Sequence, residues 1–354
     1  MKNRLKKQSI ELLRELISIP SFSGEEDKTA DLIAKSLQNN QIAAQRKFHN
    51  IYALSPQFDS KKPALLLNSH HDTVKPTDGW HSDPFNPEIK DGKLIGLGSN
   101  DAGASLVSLM AVFQYFYKES NLSHNLILAL TAEEENSGIN GIRAILPELG
   151  KIDLAIVGEP TGMKMAIAEK GLMVLRCQAI GRSGHAARDT GENAITKAID
   201  DIVWINGHTF SPVSPLLGPA KMTVTMIKAG TQHNVIPDRC EFTIDIRSTD
   251  NCNNEMILDV LKHNLRSDFA DPSLNLRPSS IPLNHGLVET AISLGIETFG
   301  SPTLSDQTYI SAPSVKMGPG QSERSHTADE FVYLSEIEEG IEKYIELLEQ
   351  FLKT

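Results

Sequence analysis

The apolar positions of this chain alternate between helical spacing and short unbroken runs. Ile10, Leu13, Leu16 and Ile17 recur at helical spacing, and Pro20 bars that helix from continuing. Asp27 to Leu37 resumes the helical period after the loop Pro20-Ser21-Phe22-Ser23-Gly24. Ile51 to Leu54 and Ala64 to Leu67 predict strands, the second leading into Asn68-Ser69-His70-His71-Asp72. Ala104 to Tyr117 is a strongly apolar helical pattern. Leu126 to Thr131 then predicts a strand buried on both faces, followed at once by Ala132-Glu133-Glu134-Glu135-Asn136-Ser137-Gly138. Leu154 to Val157 is another such run and opens into Gly158-Glu159-Pro160-Thr161. Strands alternating with helices predict an α/β fold, a mixed sheet covered by helices.

Around Gly171 the texture changes. Met173 to Ile180, Met222 to Ile227 and Phe242 to Ile246 read as strands, and Ala194 to Ile205 and Met256 to Leu265 as helices. This is an α+β unit with the length of a small domain. From His285 the first texture returns, and Ile337 to Leu352 makes a final amphipathic helix. The pattern predicts one domain from residues 1–170 and 285–354, with residues 171–284 inserted.

Composition narrows the function classes. The chain has 354 residues, 40% hydrophobic and 22% charged, which is ordinary for a soluble globular protein. Its net charge of −11 argues against nucleic acid and against anionic membrane surfaces as partners. Cys177, Cys240 and Cys252 lack paired spacing, so neither a disulfide framework nor a thiolate metal site is expected. Met1 to Lys7 is basic, but the amphipathic stretch after it carries Glu11, Arg14 and Glu15 and reads as a surface helix, not a signal peptide. No apolar run approaches a membrane span. A soluble, cytoplasmic protein is expected.

Metal-ligand residue types gather at the strand ends and in a Gly-rich loop, where open α/β sheets place their sites. They are His70, Asp72, Asp101, the Glu133-Glu134-Glu135 run, Glu159 and His326. Alone, each has a plainer reading: a solvated acidic turn, a hydrogen-bonded histidine, a helix cap at Asp101. Gly96-Leu97-Gly98-Ser99-Asn100-Asp101 is not a dinucleotide fingerprint, because its sixth position is Asp101. Together, imidazoles and carboxylates suit zinc, manganese or cobalt.

At these residues the chain resembles the M20 family of di-zinc peptidases and deacylases, and within it the acetylornithine deacetylase branch. His70-His71-Asp72 resembles the family's His-x-Asp, and Gly96 to Asp101 its Gly-x-Gly-x-x-Asp. Thr131 to Glu135 resembles Thr-Ala-Asp-Glu-Glu, and Gly158 to Thr161 is Gly-Glu-Pro-Thr. Gly318-Pro319-Gly320, His326-Thr327 and Glu330 complete the order. The resemblance implies two Zn2+ ions, with Co2+ or Mn2+ as alternatives. His70, Asp101 and Glu159 would hold one ion; Asp101, Glu135 and His326 would hold the other, with Asp101 bridging. Asp72 would accept the remaining ring N–H of His70 and fix its tautomer. Glu134 would be the general base, beside two ions about 3.5–4 Å apart that activate a water. Anchoring the run on Thr131-Ala132 puts Glu133 at the family's Asp. A shift by one would instead make Glu133 the base and Glu134 the ligand; the first register needs only an Asp-to-Glu change.

The resemblance also implies that the inserted domain is a lid and dimerisation surface, so a homodimer is expected. Gly181-Arg182-Ser183-Gly184-His185 is not a serine nucleophile elbow, because the fifth position is His185. In the family, a histidine at the place of His185 helps hold the oxyanion in the partner subunit's site. Asn234, within Gly230 to Pro237, and Arg247 would bind a substrate carboxylate; a strand-end ion pair is the plainer reading of Arg247. Ser305-Asp306 resembles the family's Ser-Asp, but Thr308 stands where the di-acid desuccinylases have Arg. The expected partner is a small N-acyl amino acid, foremost N-acetylornithine, cleaved in arginine biosynthesis. Succinylornithine, acetylcitrulline, acetyl-lysine or a dipeptide are alternatives, and an inactive dimerisation scaffold is an alternative of another class.

Overall fold

Where apolar residues run unbroken, the chain forms strands covered on both sides. The computed structural model describes residues 1–188 and 190–353. It divides the chain into a first unit of Met1–Ile167, Ser280–Phe299 and the segment from Ser305 onward, and a second of Ala168–Ser279 with Gly300–Leu304.

In the first unit, the strands Ala64–His70, Asn125–Thr131 and Leu154–Val157 are buried at every position. The sheet runs Ala44–Lys47, Asn50–Leu54, Asn125–Thr131, Ala64–His70, Leu154–Val157, Ser314–Lys316 and Met165–Glu169 in spatial order. It is mixed: Ala64–His70 pairs parallel with both Asn125–Thr131 and Leu154–Val157, whereas Asn50–Leu54 pairs antiparallel with Asn125–Thr131. Register places His70 opposite Thr131 and Val157 opposite both Asn68 and Lys316, so the parallel strands end close together. Helix Ala104–Phe116 is buried at nearly every position and packs against helices Lys2–Ile17 and Leu334–Leu352. Helix Lys2–Ile17 turns Leu5, Leu12, Leu13, Leu16 and Ile17 inward, with Ile10 only half-buried. It ends at Ile17, as Pro20 requires.

One boundary differs from the expectation in a way that bears on the site, and one strand is additional. The strand after Leu67 continues through His70, so that imidazole projects from a paired residue. The Ala44–Lys47 strand was not legible, because it is a polar edge strand with no apolar run.

The second unit has a four-stranded antiparallel sheet in the order Lys221–Ala229, Arg239–Arg247, Met173–Ile180, Asp268–Phe269. Along Met173–Ile180, buried and more exposed residues alternate, as a sheet with one covered face requires. Leu175, Cys177, Phe242 and Ile244 join Ala198, Ile205, Ile257 and Leu261 of helices Ala194–Gly207 and Asn254–Asn264 in one core. All three cysteines are free and buried. Among the described residues, no helix is long and apolar enough to cross a membrane.

Candidate metal centre

The carboxyl ends of the parallel strands and two loops deliver acidic and imidazole groups to one place in the first unit. His70 ends its strand and is 2% exposed. Its Nε2 lies 3.4 Å from Asp101 Oδ1, 3.6 Å from Glu159 Oε1 and 3.9 Å from Glu134 Oε2. His326 Nε2 lies 3.0 Å from Glu135 Oε2 and 3.6 Å from Asp101 Oδ2. Two triads result, His70–Asp101–Glu159 and Asp101–Glu135–His326, each with its ligand atoms within 4.8 Å of one another. They share Asp101, one oxygen facing each histidine.

Asp101 is not a helix cap. It is extended at φ −115° and ψ 101°, and helix Ala104–Phe116 begins after it, with no side-chain cap. Its loop is shaped by Glu330, 2% exposed. Glu330 Oε2 accepts from the Gly98 amide at 2.9 Å, and Oε1 accepts from the Asn100 and Asp101 amides at 2.8 and 2.9 Å. Gly98 has φ +75°, and a Cβ there would lie 2.6 Å from Thr73 Cγ2, so this turn needs glycine.

Asp72 does more than the sequence suggested. His70 Nδ1 is 3.1 Å from the backbone oxygen of Asp72 and 3.4 Å from its carboxylate Oδ1. That carboxylate accepts the amides of Glu134 and Glu135, each at 3.1 Å, and the hydroxyl of Ser23 at 2.7 Å. Of the acidic run, Glu134 faces His70 and Glu135 faces His326. Glu133 turns away, and its carboxylate accepts the backbone and side-chain nitrogens of Asn140 at 3.1 and 3.0 Å.

Like charges crowded together out of water oppose ionisation. Burial, with Glu159 and Asp306 nearby, holds the Glu134 carboxyl well above its ordinary range, against the pull of His70. Burial raises Glu135, and it pushes Glu159 up to about 8 with Asp101 adding to the effect. Burial likewise pushes Glu330 to about 8 and Asp306 to about 6. The Glu135 hydrogen bond drives His326 up to about 9. Burial disfavours charge on His70, but Asp101 and Asp72 outweigh it and hold the ring well above the usual imidazole range. Strained carboxylates around a common focus are what a bound cation would relieve. With nitrogen and oxygen donors only, the set fits a borderline or hard divalent ion.

Asp306 and Glu330 were named in the sequence without a role. Asp306 accepts the Thr131 hydroxyl at 2.7 Å at the foot of the acidic turn. Its signal was the Ser305-Asp306 pair; its partner is remote in sequence.

His185, Asn234 and Arg247 belong to the second unit. His185 is exposed on the short strand Gly184–His185, which pairs with Val235–Ile236. Its Nδ1 accepts from the Ala187 amide at 3.1 Å, which leaves Nε2 as the open donor. Asn234 is exposed, and its carbonyl accepts the Ala186 amide at 3.0 Å. Arg247 ends its strand with its fork closed on Asp245, two residues back on the same face, at 2.8 and 3.0 Å.

The profile described as Peptidase family M20/M25/M40 matches residues 66–350. An acetylornithine deacetylase from Proteus mirabilis is 28% identical over 97% of this chain and 96% of its own. A succinyl-diaminopimelate desuccinylase from Delftia acidovorans is 26% identical over 94% and 95%. A solved Bacillus subtilis structure, described as a dinuclear metal binding peptidase from the M20 family, shares the fold. Its TM-score is 0.72 at 16% identity, with 99% of each chain covered.

Proposed function

This chain belongs to peptidase family M20/M25/M40, a family of metal-dependent hydrolases, and on that premise we propose that it cleaves the amide of an N-acyl amino acid. The observation that carries the proposal is the pair of ligand triads sharing Asp101, with Glu134 beside them. In this reading His70, Asp101 and Glu159 would hold one zinc ion and Asp101, Glu135 and His326 the second, with cobalt or manganese as alternatives. Bound there, the ions would polarise the scissile carbonyl and acidify a water. Glu134 takes a proton from the attacking water, whose oxygen adds to the carbonyl carbon, and returns it to the amine nitrogen as the C–N bond breaks. Asp72 orients His70 and, through two amides, the acidic turn. His185 donates its Nε2–H to the oxyanion of a partner subunit, and Asn234 and Arg247 take the substrate carboxylate, Arg247 sharing its fork with Asp245.

N-acetylornithine is the substrate we favour, on the resemblance to acetylornithine deacetylases. Desuccinylation is the second reading, because relatives such as the Delftia acidovorans protein are desuccinylases. Thr308 at the position of the desuccinylase Arg favours the first. The test is a hydrolysis screen over N-acetyl and N-succinyl amino acids, and their neutral carboxamides, with zinc or cobalt added. N-acetylornithine should be turned over fastest, and Arg247→Ala should lose most of the preference for the free acid. Faster N-succinyl turnover would select the second reading. Equal hydrolysis of acid and amide by the unmodified enzyme would remove the carboxylate clamp. No amide hydrolysis with both ions bound would leave a scaffold.

A further inference from the structure

Three adjacent glutamates cannot hold one another in place, because their charges repel. Glu133-Glu134-Glu135 is fixed instead through its backbone. The Glu134 and Glu135 amides donate to the two oxygens of Asp72, each at 3.1 Å. The Glu133 amide donates to Oε1 of Glu26, also at 3.1 Å. Three consecutive N–H groups therefore end on two buried carboxylates, and Glu26 is wholly buried at 0% exposure.

Glu26 precedes helix Asp27–Asn39 but does not cap it with its side chain. Its Oε1 also accepts the Gly24 amide at 2.6 Å, and its Oε2 is hydrogen-bonded to His49 Nδ1 at 2.7 Å. The His49 carbonyl in turn receives His71 Nε2 at 3.0 Å. A carboxylate held on both oxygens is a rigid acceptor. The backbone it anchors is costly to hold: Glu133 has φ +54°, a left-handed conformation that a non-glycine residue adopts only under external restraint.

We propose that Glu26 is a positioning residue for the acidic turn: by fixing the Glu133 amide it aims the Glu134 carboxylate at His70 and Glu135 at His326. Without that acceptor, Glu133 relaxes from its left-handed conformation and both following carboxylates lose their direction. The inference rests on the reading of Glu134 as the base.

The experiment compares Glu26→Ala, Glu26→Gln and Glu26→Asp in the zinc-loaded enzyme, with kcat, KM and zinc stoichiometry measured per folded molecule. Glu26→Ala should lower kcat by about 10- to 100-fold with KM unchanged, the scale of a small misplacement at a reacting centre. It should also weaken the ion held by Glu135, read by competition with a chelator. Glu26→Gln keeps an oxygen facing both amides and should recover most of the loss. Glu26→Asp keeps the charge but withdraws the acceptor by one methylene, and it should resemble Ala; where Ala fails to fold, the Asp and Gln pair decides. Equal kcat in Ala and wild type, or Gln no better than Ala or Asp, would overturn the proposal. Glu134→Gln, measured alongside, separates the two claims: full turnover there removes the base assignment itself.

Discussion

Glu159 and His326 stand in different triads, and both resist giving up a proton. Burial holds the Glu159 carboxyl at about 8, and Glu135 holds the His326 imidazole at about 9. A metal ligand must be deprotonated, so an ion entering this site displaces protons. Below about 8 both groups carry one, and affinity should therefore rise with pH from mildly acid conditions towards that value. Calorimetric titration of the metal-free protein with zinc, in buffers of different ionisation enthalpy, should show proton release at pH 7. His326→Ala should release less. An affinity independent of pH, with no protons released, would remove both residues from the ligand set. Arg247 carries the planar fork that a carboxylate clamp needs, and Asp245 two positions earlier already takes its Nε and one terminal nitrogen.

At the scale of elements, the site is a set of strand ends tied together by backbone hydrogen bonds. His71 shows how this depends on charge. It follows His70, its amide donates to the Thr131 carbonyl at 2.9 Å, and its Nε2 faces the His49 carbonyl. A carbonyl can only accept, so Nε2 carries the proton, and Nδ1 lies 2.9 Å from Thr29 Oγ1. Burial lowers this imidazole to about 4, against the charge of Asp72. In the unfolded chain it titrates near 6.5. Between those values the unfolded chain binds a proton that the folded one refuses, so this contribution is whole above 6.5 and lost as the pH falls. The loss approaches about 3 kcal/mol near pH 4. His71→Gln keeps a donor for the His49 carbonyl and does not titrate. Urea unfolding at pH 7 and pH 5 should show wild type losing ground to the variant on acidification. A constant difference between them would mean that His71 is not held neutral.

The proposal for the whole molecule is a homodimer with sites completed in trans. The second unit offers apolar surface for an interface. Met226 and Ile227 lie on the edge strand Lys221–Ala229 and are 67% and 56% exposed, and Val203 on helix Ala194–Gly207 is 65% exposed. An edge strand with exposed apolar side chains is a surface natural proteins usually cover. If His185 acts in a partner's site, His185→Ala and Glu134→Gln proteins, each nearly inactive alone, should regain activity when mixed. Some mixed dimers would then hold one complete site. Absence of recovery, with subunit exchange shown separately, would place His185 outside the reaction.

The sequence by itself determined the elements whose pattern is local. The apolar runs at Ala64, Leu126 and Leu154 specify strands, whereas the one covered face of Met173–Ile180 was decided by the fold, because Val174 and Ile180 are apolar yet exposed. The order of ligand residue types after those runs pointed to the family. What the linear pattern left open was where each carboxylate points, because a Glu run has no period and each member is chemically the same. Only the tertiary structure decided it. Asp72 and Glu26, distant in sequence, bind three successive amides and send the three side chains to His70, His326 and Asn140. Glu26 carried no recognisable spacing for the same reason: its partners are a backbone nitrogen and a histidine ring, which folding brings to it and no sequence interval records.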